Sequence, residues 1–205
     1  MALPRFAAML RRMVSVPQIE YTRRAWKSDE FIALTSAGHF RGEHLELLEG
    51  ELWIMSPQEA PHRAISLRIH ARMSAAYGES RYHVASHSSI RLSDKSVPEP
   101  DVAVVRGPIE DWFDGLPGPL DLVAAIEVVH STESADRYKQ RLYAKAGVAE
   151  YWFVDVKRSR IEVHSGPRDD GTYTHTRIAG FDDAIALAEI EATVTVRELL
   201  IRPLV

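Results

Sequence analysis

The sequence predicts a single α/β or α+β domain in which a mixed β-sheet is flanked by helices. Three observations carry this. The run Leu122–Val129 is apolar at every position but one, as a strand buried on both faces would be. Helical periodicity is confined to a few stretches, the clearest being 61–77, where Ile65, Ile69 and Met73 recur every four residues. Short β-type runs fill most of the remaining chain, and 205 residues without repeats or a dividing linker read as one domain, 28–205, behind an N-terminal extension, 1–27.

Taken in order, Ser28-Asp29-Glu30 opens a helix with acids in its first turn, where the helix dipole favours negative charge. His44–Leu48 and Glu51–Met55 read as two strands joined at Glu49-Gly50. The chain has no asparagine, so glycine is expected to supply the positive φ of its tight turns. Pro61–Tyr77 is a helix and Tyr82–Leu92 a strand. Pro98-Glu99-Pro100 interrupts strand pairing, after which Asp101–Val105 resumes it. Arg106–Pro119, rich in proline and glycine, is a loop. Ala135–Ala146 is a helix stopped by Gly147. Glu150–Val156, Arg160–His164 and Tyr173–Ile178 are further strands, with a turn at Asp170-Gly171. Thr195-Val-Arg-Glu198 has the spacing of a capping box before a short last helix. Trp53, Trp112 and Trp152 read as core or interface residues, the core being the favoured reading.

Composition narrows the chemistry. With no cysteine, disulfides, thiolate metal sites and thiol nucleophiles are excluded, so any metal would be held by carboxylates, histidines or backbone oxygens. Twenty-five basic against 29 acidic residues give a net charge of −4, which excludes a polybasic protein but not a local basic face. Apolar runs are too short to span a bilayer. Pro4 and Arg5 interrupt any secretory core at the start, and Met13 is a candidate alternative start that would leave residues 1–12 as an arm. The reading is a soluble cytoplasmic protein with no membrane association. No P-loop, dinucleotide fingerprint, HExxH or GxSxG elbow is present. His83 and His87 are four apart in a predicted strand, which separates them by about 13 Å, too far to share a metal.

Glu127 is the most informative residue. A carboxylate inside Leu122-Val-Ala-Ala-Ile-Glu-Val-Val must find a cation, a lysine, a metal ion or a proton. Helix phase supplies a partner. Lys139, Leu142, Tyr143 and Ala146 share one face of the 135–146 helix, whereas Arg137, Arg141 and Lys145 form a different, solvated basic stripe. Lys139 is therefore aimed at the sheet. Asp101, at a strand start, is either a turn residue or a second acid beside Glu127. Glu46 is either a further acid or, with Glu49 and Glu51, part of a solvated strand face. His62, at a helix start, is a cap, a surface group or a substrate contact.

These pieces, in this order, resemble a known family. Glu46-Leu-Leu-Glu-Gly-Glu-Leu52, Met55-Ser-Pro with His62 downstream, Pro100-Asp101-Val, Glu127-Val, Lys139-x-x-x-Tyr143 and Gly147-Val-x-Glu-Tyr-Trp-Phe-Val-Asp155 are similar to the Uma-type family of bacterial "putative restriction endonucleases", within the PD-(D/E)XK nuclease superfamily. The resemblance covers roughly residues 28 to 200. It implies a restriction-endonuclease-like mixed sheet and a phosphodiesterase site dependent on Mg²⁺ or Mn²⁺. Asp101 and Glu127 would hold the metal, with Glu46 near it. Lys139 would stand in for the lysine that the superfamily carries two residues past the second acid, where this chain has Val129. His62 would contact substrate. The sequence departs from the family pattern at Val129-His130 and in a shorter spacing from Asp136 to Lys139.

The implied function is endonucleolytic hydrolysis of DNA, with a two-fold homodimer as the arrangement suited to a duplex. Two alternatives stand beside it. One is a catalytically weak or inactive nuclease-fold binding module in which Glu127–Lys139 is a buried ion pair. The other is a metal-dependent hydrolase with a different substrate.

Overall fold

The computed structural model describes residues 22–129 and 133–201. The alternative start at Met13, most of the 1–27 extension and the departure at His130 fall outside them.

The elements run α1 (Ser28–Ser36), β1 (Leu45–Leu48), β2 (Glu51–Ile54), α2 (Ala60–Tyr77), β3 (Tyr82–Ser86), β4 (Val102–Arg106), β5 (Leu122–Val129), α3 (Glu133–Ala146), β6 (Glu150–Asp155), β7 (Arg160–Pro167), β8 (Tyr173–Ala179), β9 (Ala184–Ala186), β10 (Thr193–Thr195) and α4 (Val196–Leu199). Strands β3 to β8 form one sheet in sequence order. It is mixed: β5 and β6 are parallel, joined through α3, and every other neighbouring pair is antiparallel. Only a parallel pair needs a long crossover, which is why the helix is inserted there. β1–β2 and β9–β10 are separate antiparallel hairpins.

Side chains alternate across the sheet. On one face Val102, Val104, Ile126, Val128, Trp152 and Val154 pack with Ile65, Ile69 and Met73 of α2. On the other, Ala103, Val105, Ala125, Val129, Tyr151 and Phe153 pack with Leu142 and Tyr143 of α3. Period two therefore assigns Glu127, between Ala125 and Val129, to the α3 face. Asp101, two before Ala103, falls on the same face. A third cluster joins Phe31 of α1 to Leu45 and Leu47 of β1, and Leu47 bridges to Val97. That contact pins the first hairpin against the segment leading to Asp101.

Several expectations are corrected. The third strand ends at Ser86, not Leu92, because His87 takes a positive φ of 48° and turns the chain. The β1–β2 turn uses φ 48° at Glu49 as well as 86° at Gly50, so glycine is not the only residue supplying positive φ. At Gly50 it is still required, since a Cβ would come within 2.7 Å of the Ala25 side chain. Of the three tryptophans, Trp152 is in the core, Trp112 is half-buried and Trp53 is exposed. The short β9 and β10 carry too few residues for a period-two pattern to register. The capping box is present: the Glu198 carboxylate accepts from the Thr195 N–H at 2.8 Å. Among the described residues no helix is long and apolar enough to cross a membrane.

Candidate active site

Glu127 lies in the middle of the sheet, 2% exposed. Lys139, on the buried face of α3, brings its Nζ to 3.2 Å from Glu127 Oε1. The partner required by an acid in an apolar strand is the lysine that helix phase pointed at it. The same amine stands 2.8 Å from Glu46 Oε1. Glu46 is fully buried, which removes the solvated-face reading of that residue. Its Oε1 also accepts the Glu99 N–H at 2.7 Å, while its Oε2 is buried with no hydrogen-bond partner among the described residues.

Asp101 directly precedes β4. Extending the Val102↔Ile126 register by one step sets it opposite Glu127. Its Oδ2 accepts the Val128 N–H at 2.8 Å and lies 3.1 Å from His62 Nε2. Its Oδ1 accepts from the Gln58 amide at 3.1 Å and faces His87 Nδ1 at 3.5 Å. His62 is thus neither a cap nor a free surface group. All five residues picked out from the sequence, Glu46, His62, Asp101, Glu127 and Lys139, line one cleft of about 430 Å³.

The cleft also contains residues that sequence reasoning missed. Gln58 and His87 reach Asp101 from the α2 approach and the end of β3. His44 pairs with Glu99 at its rim, 2.6 Å apart. Asp136, from the first turn of α3, adds a fourth carboxylate to those of Glu46, Asp101 and Glu127. Helix spacing carried a usable signal for it, because Asp136 lies three residues before Lys139 and so on the same face. Nothing in the local pattern marked Gln58, and the spacing of His87 from His83 bore only on a shared metal, not on a contact with Asp101.

Arg137 corrects the reading of a solvated basic stripe. Its guanidinium stacks 3.8 Å from the Phe153 ring centroid and pairs with Glu162 at 2.8 Å, so it lies along the sheet surface, half-buried, and is not a freely solvated charge. Arg141 and Lys145 are exposed as expected.

The electrostatics follow from crowding. Burial raises Glu127 well above the ordinary carboxylate range; Lys139 opposes this, and Asp101, Asp136 and Glu46 add to it. Burial also pushes Asp136 up to about 7, again against Lys139 and with Asp101. Burial alone would lower the Lys139 amine, but Glu127 and Glu46 outweigh it and hold the amine charged. His62 is shifted upward: burial works against its charge, and the hydrogen bond to Asp101 prevails. Burial lowers His87. Lys139 is the only permanent cation among the described residues lining the cleft, which also carries six carboxylates: Glu46, Asp101, Glu127 and Asp136 within it, and Glu59 and Glu99 along its lining.

That excess of negative charge, together with the unpartnered Glu46 oxygen, fits a divalent cation. Among the described residues no three His, Cys, Asp or Glu side chains form a ready-made metal cage. Mg²⁺ does not need one, since it commonly takes one or two carboxylates and completes its shell with water and substrate phosphate. The all-oxygen donor set suits Mg²⁺ or Mn²⁺.

The family model described as "Uma2: Putative restriction endonuclease" matches residues 28–197. A solved crystal structure, of "a putative nuclease belonging to DUF820" from Anabaena variabilis ATCC 29413, is similar with a TM-score of 0.63. The match covers 83% of this chain and 95% of that chain at 17% sequence identity. At that identity the likeness speaks for the fold, a mixed sheet with flanking helices. A search of curated proteins finds no match.

Proposed function

The chain belongs to the Uma2 family of "putative restriction endonucleases", and from that premise we propose that it is a Mg²⁺- or Mn²⁺-dependent endonuclease hydrolysing DNA phosphodiester bonds. The observation that carries this reading is the convergence of Glu46, Asp101, Glu127 and Asp136 on a cleft where one lysine balances them.

In this reading Asp101 and Glu127 hold the cation, with Glu46 beside them. Bound there, a divalent ion supplies Lewis-acid polarisation of a phosphate and lowers the pKa of a bound water. The chain's own groups do the rest. The Val128 N–H, Gln58 and His62 fix the Asp101 carboxylate. Lys139 holds Glu46 and Glu127 in place and keeps positive charge near the reacting phosphate. His62, at the cleft wall, contacts the substrate strand. Exposed Arg141 and Lys145 offer phosphate contacts, which would make binding salt-dependent.

The test is incubation of purified protein with supercoiled, linear and single-stranded DNA in Mg²⁺ or Mn²⁺. Cleavage is expected to fall at least 100-fold on Glu127→Gln, in the range set by losing a principal electrostatic group. Cleavage that survives that substitution unchanged overturns the proposal.

One observation favours a second reading. Lys139 is 4% exposed and pairs with two carboxylates that are equally buried. That is also the arrangement of a structural ion triad in a nuclease-fold module without catalytic power. Such a module would show neither cleavage nor stabilisation by divalent cations.

A further inference from the structure

Glu127 is held through one oxygen only. Its Oε1 lies 3.2 Å from Lys139 Nζ and accepts the Tyr143 hydroxyl at 3.1 Å. The two donors sit one turn apart on α3, so both approach from the same side. Among the described residues no hydrogen bond reaches Oε2. A half-turn merely exchanges two equivalent oxygens, but any orientation in between would break both contacts in a buried setting, where an unmet polar group is costly, so one oxygen is always held and the other left free.

Tyr143 is itself immobilised. It is fully buried, and its ring stacks on Tyr151 with centroids 5.4 Å apart and planes 28° apart. The Tyr151 hydroxyl donates to the Asp136 carbonyl at 3.0 Å, which ties the same stack to the first turn of α3. A third ring, Tyr173, continues the stack at 6.4 Å, but its hydroxyl donates to the Val148 carbonyl at 3.1 Å, away from the cleft.

We propose that Tyr143 is a positioning residue for Glu127: together with Lys139 it captures Oε1 and so leaves Oε2 as the oxygen presented to a divalent cation in the cleft. This rests on the endonuclease reading and adds a residue to it. Groups that orient metal-binding carboxylates typically change metal affinity or activity by about 10- to 100-fold when removed.

Tyr173 provides the control. Tyr143→Phe and Tyr173→Phe each delete one hydroxyl from the same aromatic stack, but only the first touches Glu127. Mn²⁺ binding is measured by calorimetry, and plasmid cleavage by kcat and KM, on the full chain and both variants, with a thermal melt of each. The expected result is Mn²⁺ affinity weakened about ten-fold or more and kcat lowered at unchanged KM in Tyr143→Phe, with Tyr173→Phe like the parent. In a Glu127→Gln background, Tyr143→Phe should weaken Mn²⁺ binding no further, because its effect runs through Glu127. Unchanged Mn²⁺ affinity in Tyr143→Phe, equal losses in Tyr173→Phe, or an additive double variant overturns the positioning role while the endonuclease reading stands. A parent chain that neither binds Mn²⁺ nor cleaves DNA overturns both. Mn²⁺ binding without cleavage removes only DNA as the substrate, and the binding isotherms still decide the role of Tyr143.

Discussion

Lys139 Nζ stands 2.8 Å from Glu46 Oε1, and both residues are almost wholly sealed from solvent. The contact joins α3 to the β1–β2 hairpin, and the same amine also reaches β5 through Glu127. One side chain therefore holds three separately folded elements around the cleft, and its removal should be felt in stability as well as in chemistry.

Lys139→Met is expected to destabilise the metal-free protein by about 3–5 kcal/mol at pH 8, since it strands buried carboxylates without a counter-charge. The loss should be smaller at pH 5, because burial already holds Glu127 well above the ordinary carboxylate range and a proton can take the place of the missing lysine there. Urea unfolding at the two pH values measures both. A loss that is the same at each would rule out charge as its origin.

Asp136 predicts a pH-dependent difference. Its folded pKa is about 7, above the ordinary 3.8 that applies in the unfolded chain. Between those values the native state binds the extra proton, so this group's contribution to stability falls as pH rises from about 4 to about 7 and is level above. Asp136→Asn removes that slope. The variant should match the parent near pH 4 and exceed it increasingly up to pH 7, as measured by denaturant unfolding across the range. A constant offset would show that Asp136 ionises normally.

Divalent cations should stabilise the fold through the same carboxylates. At ten times its dissociation constant, a ligand that binds only the native state adds about 1.4 kcal/mol. Thermal melts in Mg²⁺ should rise accordingly for the parent chain. They should rise little or not at all for Asp101→Asn and Glu127→Gln. Equal shifts in all three would put the cation elsewhere.

Gly50 tests how the hairpin is seated. Its φ of 86° and the 2.7 Å that would separate an added Cβ from Ala25 leave no room for a side chain. Gly50→Ala should cost about 1–3 kcal/mol and, by shifting the strand that carries Glu46, lower the activity of the folded fraction. A melting temperature equal to the parent's would show that the turn relaxes freely.

Much of the site was legible in the chain alone. Glu127 stood out because an acid in an apolar strand must be compensated, and Lys139 because helix phase put a charged residue on a buried face. Both inferences rest on local periodicity, which survives folding. The ordered motifs pointed to the family that the match over residues 28–197 identifies. Local pattern misled where a long-range contact changed the meaning of a residue. Glu46 alternates like a solvated strand acid, yet it is buried because Leu47 bridges to Val97 and α3 closes over the hairpin. Arg137 has the spacing of a surface stripe, yet Phe153 and Glu162 draw it onto the sheet.

The sequence by itself determined most of the longer elements, the two-faced central sheet and the pairing of Glu127 with Lys139, because periods of two and 3.6 specify which side chains leave water. Only the tertiary structure decided that Gln58, His62 and His87 close around Asp101, that Asp136 joins the acids, and that Tyr143 and Lys139 share a single oxygen of Glu127. Those relations depend on strand register, on the turn at His87 and on how α3 seats against β5. Each is set by contacts between segments far apart in the chain, which no local periodicity encodes.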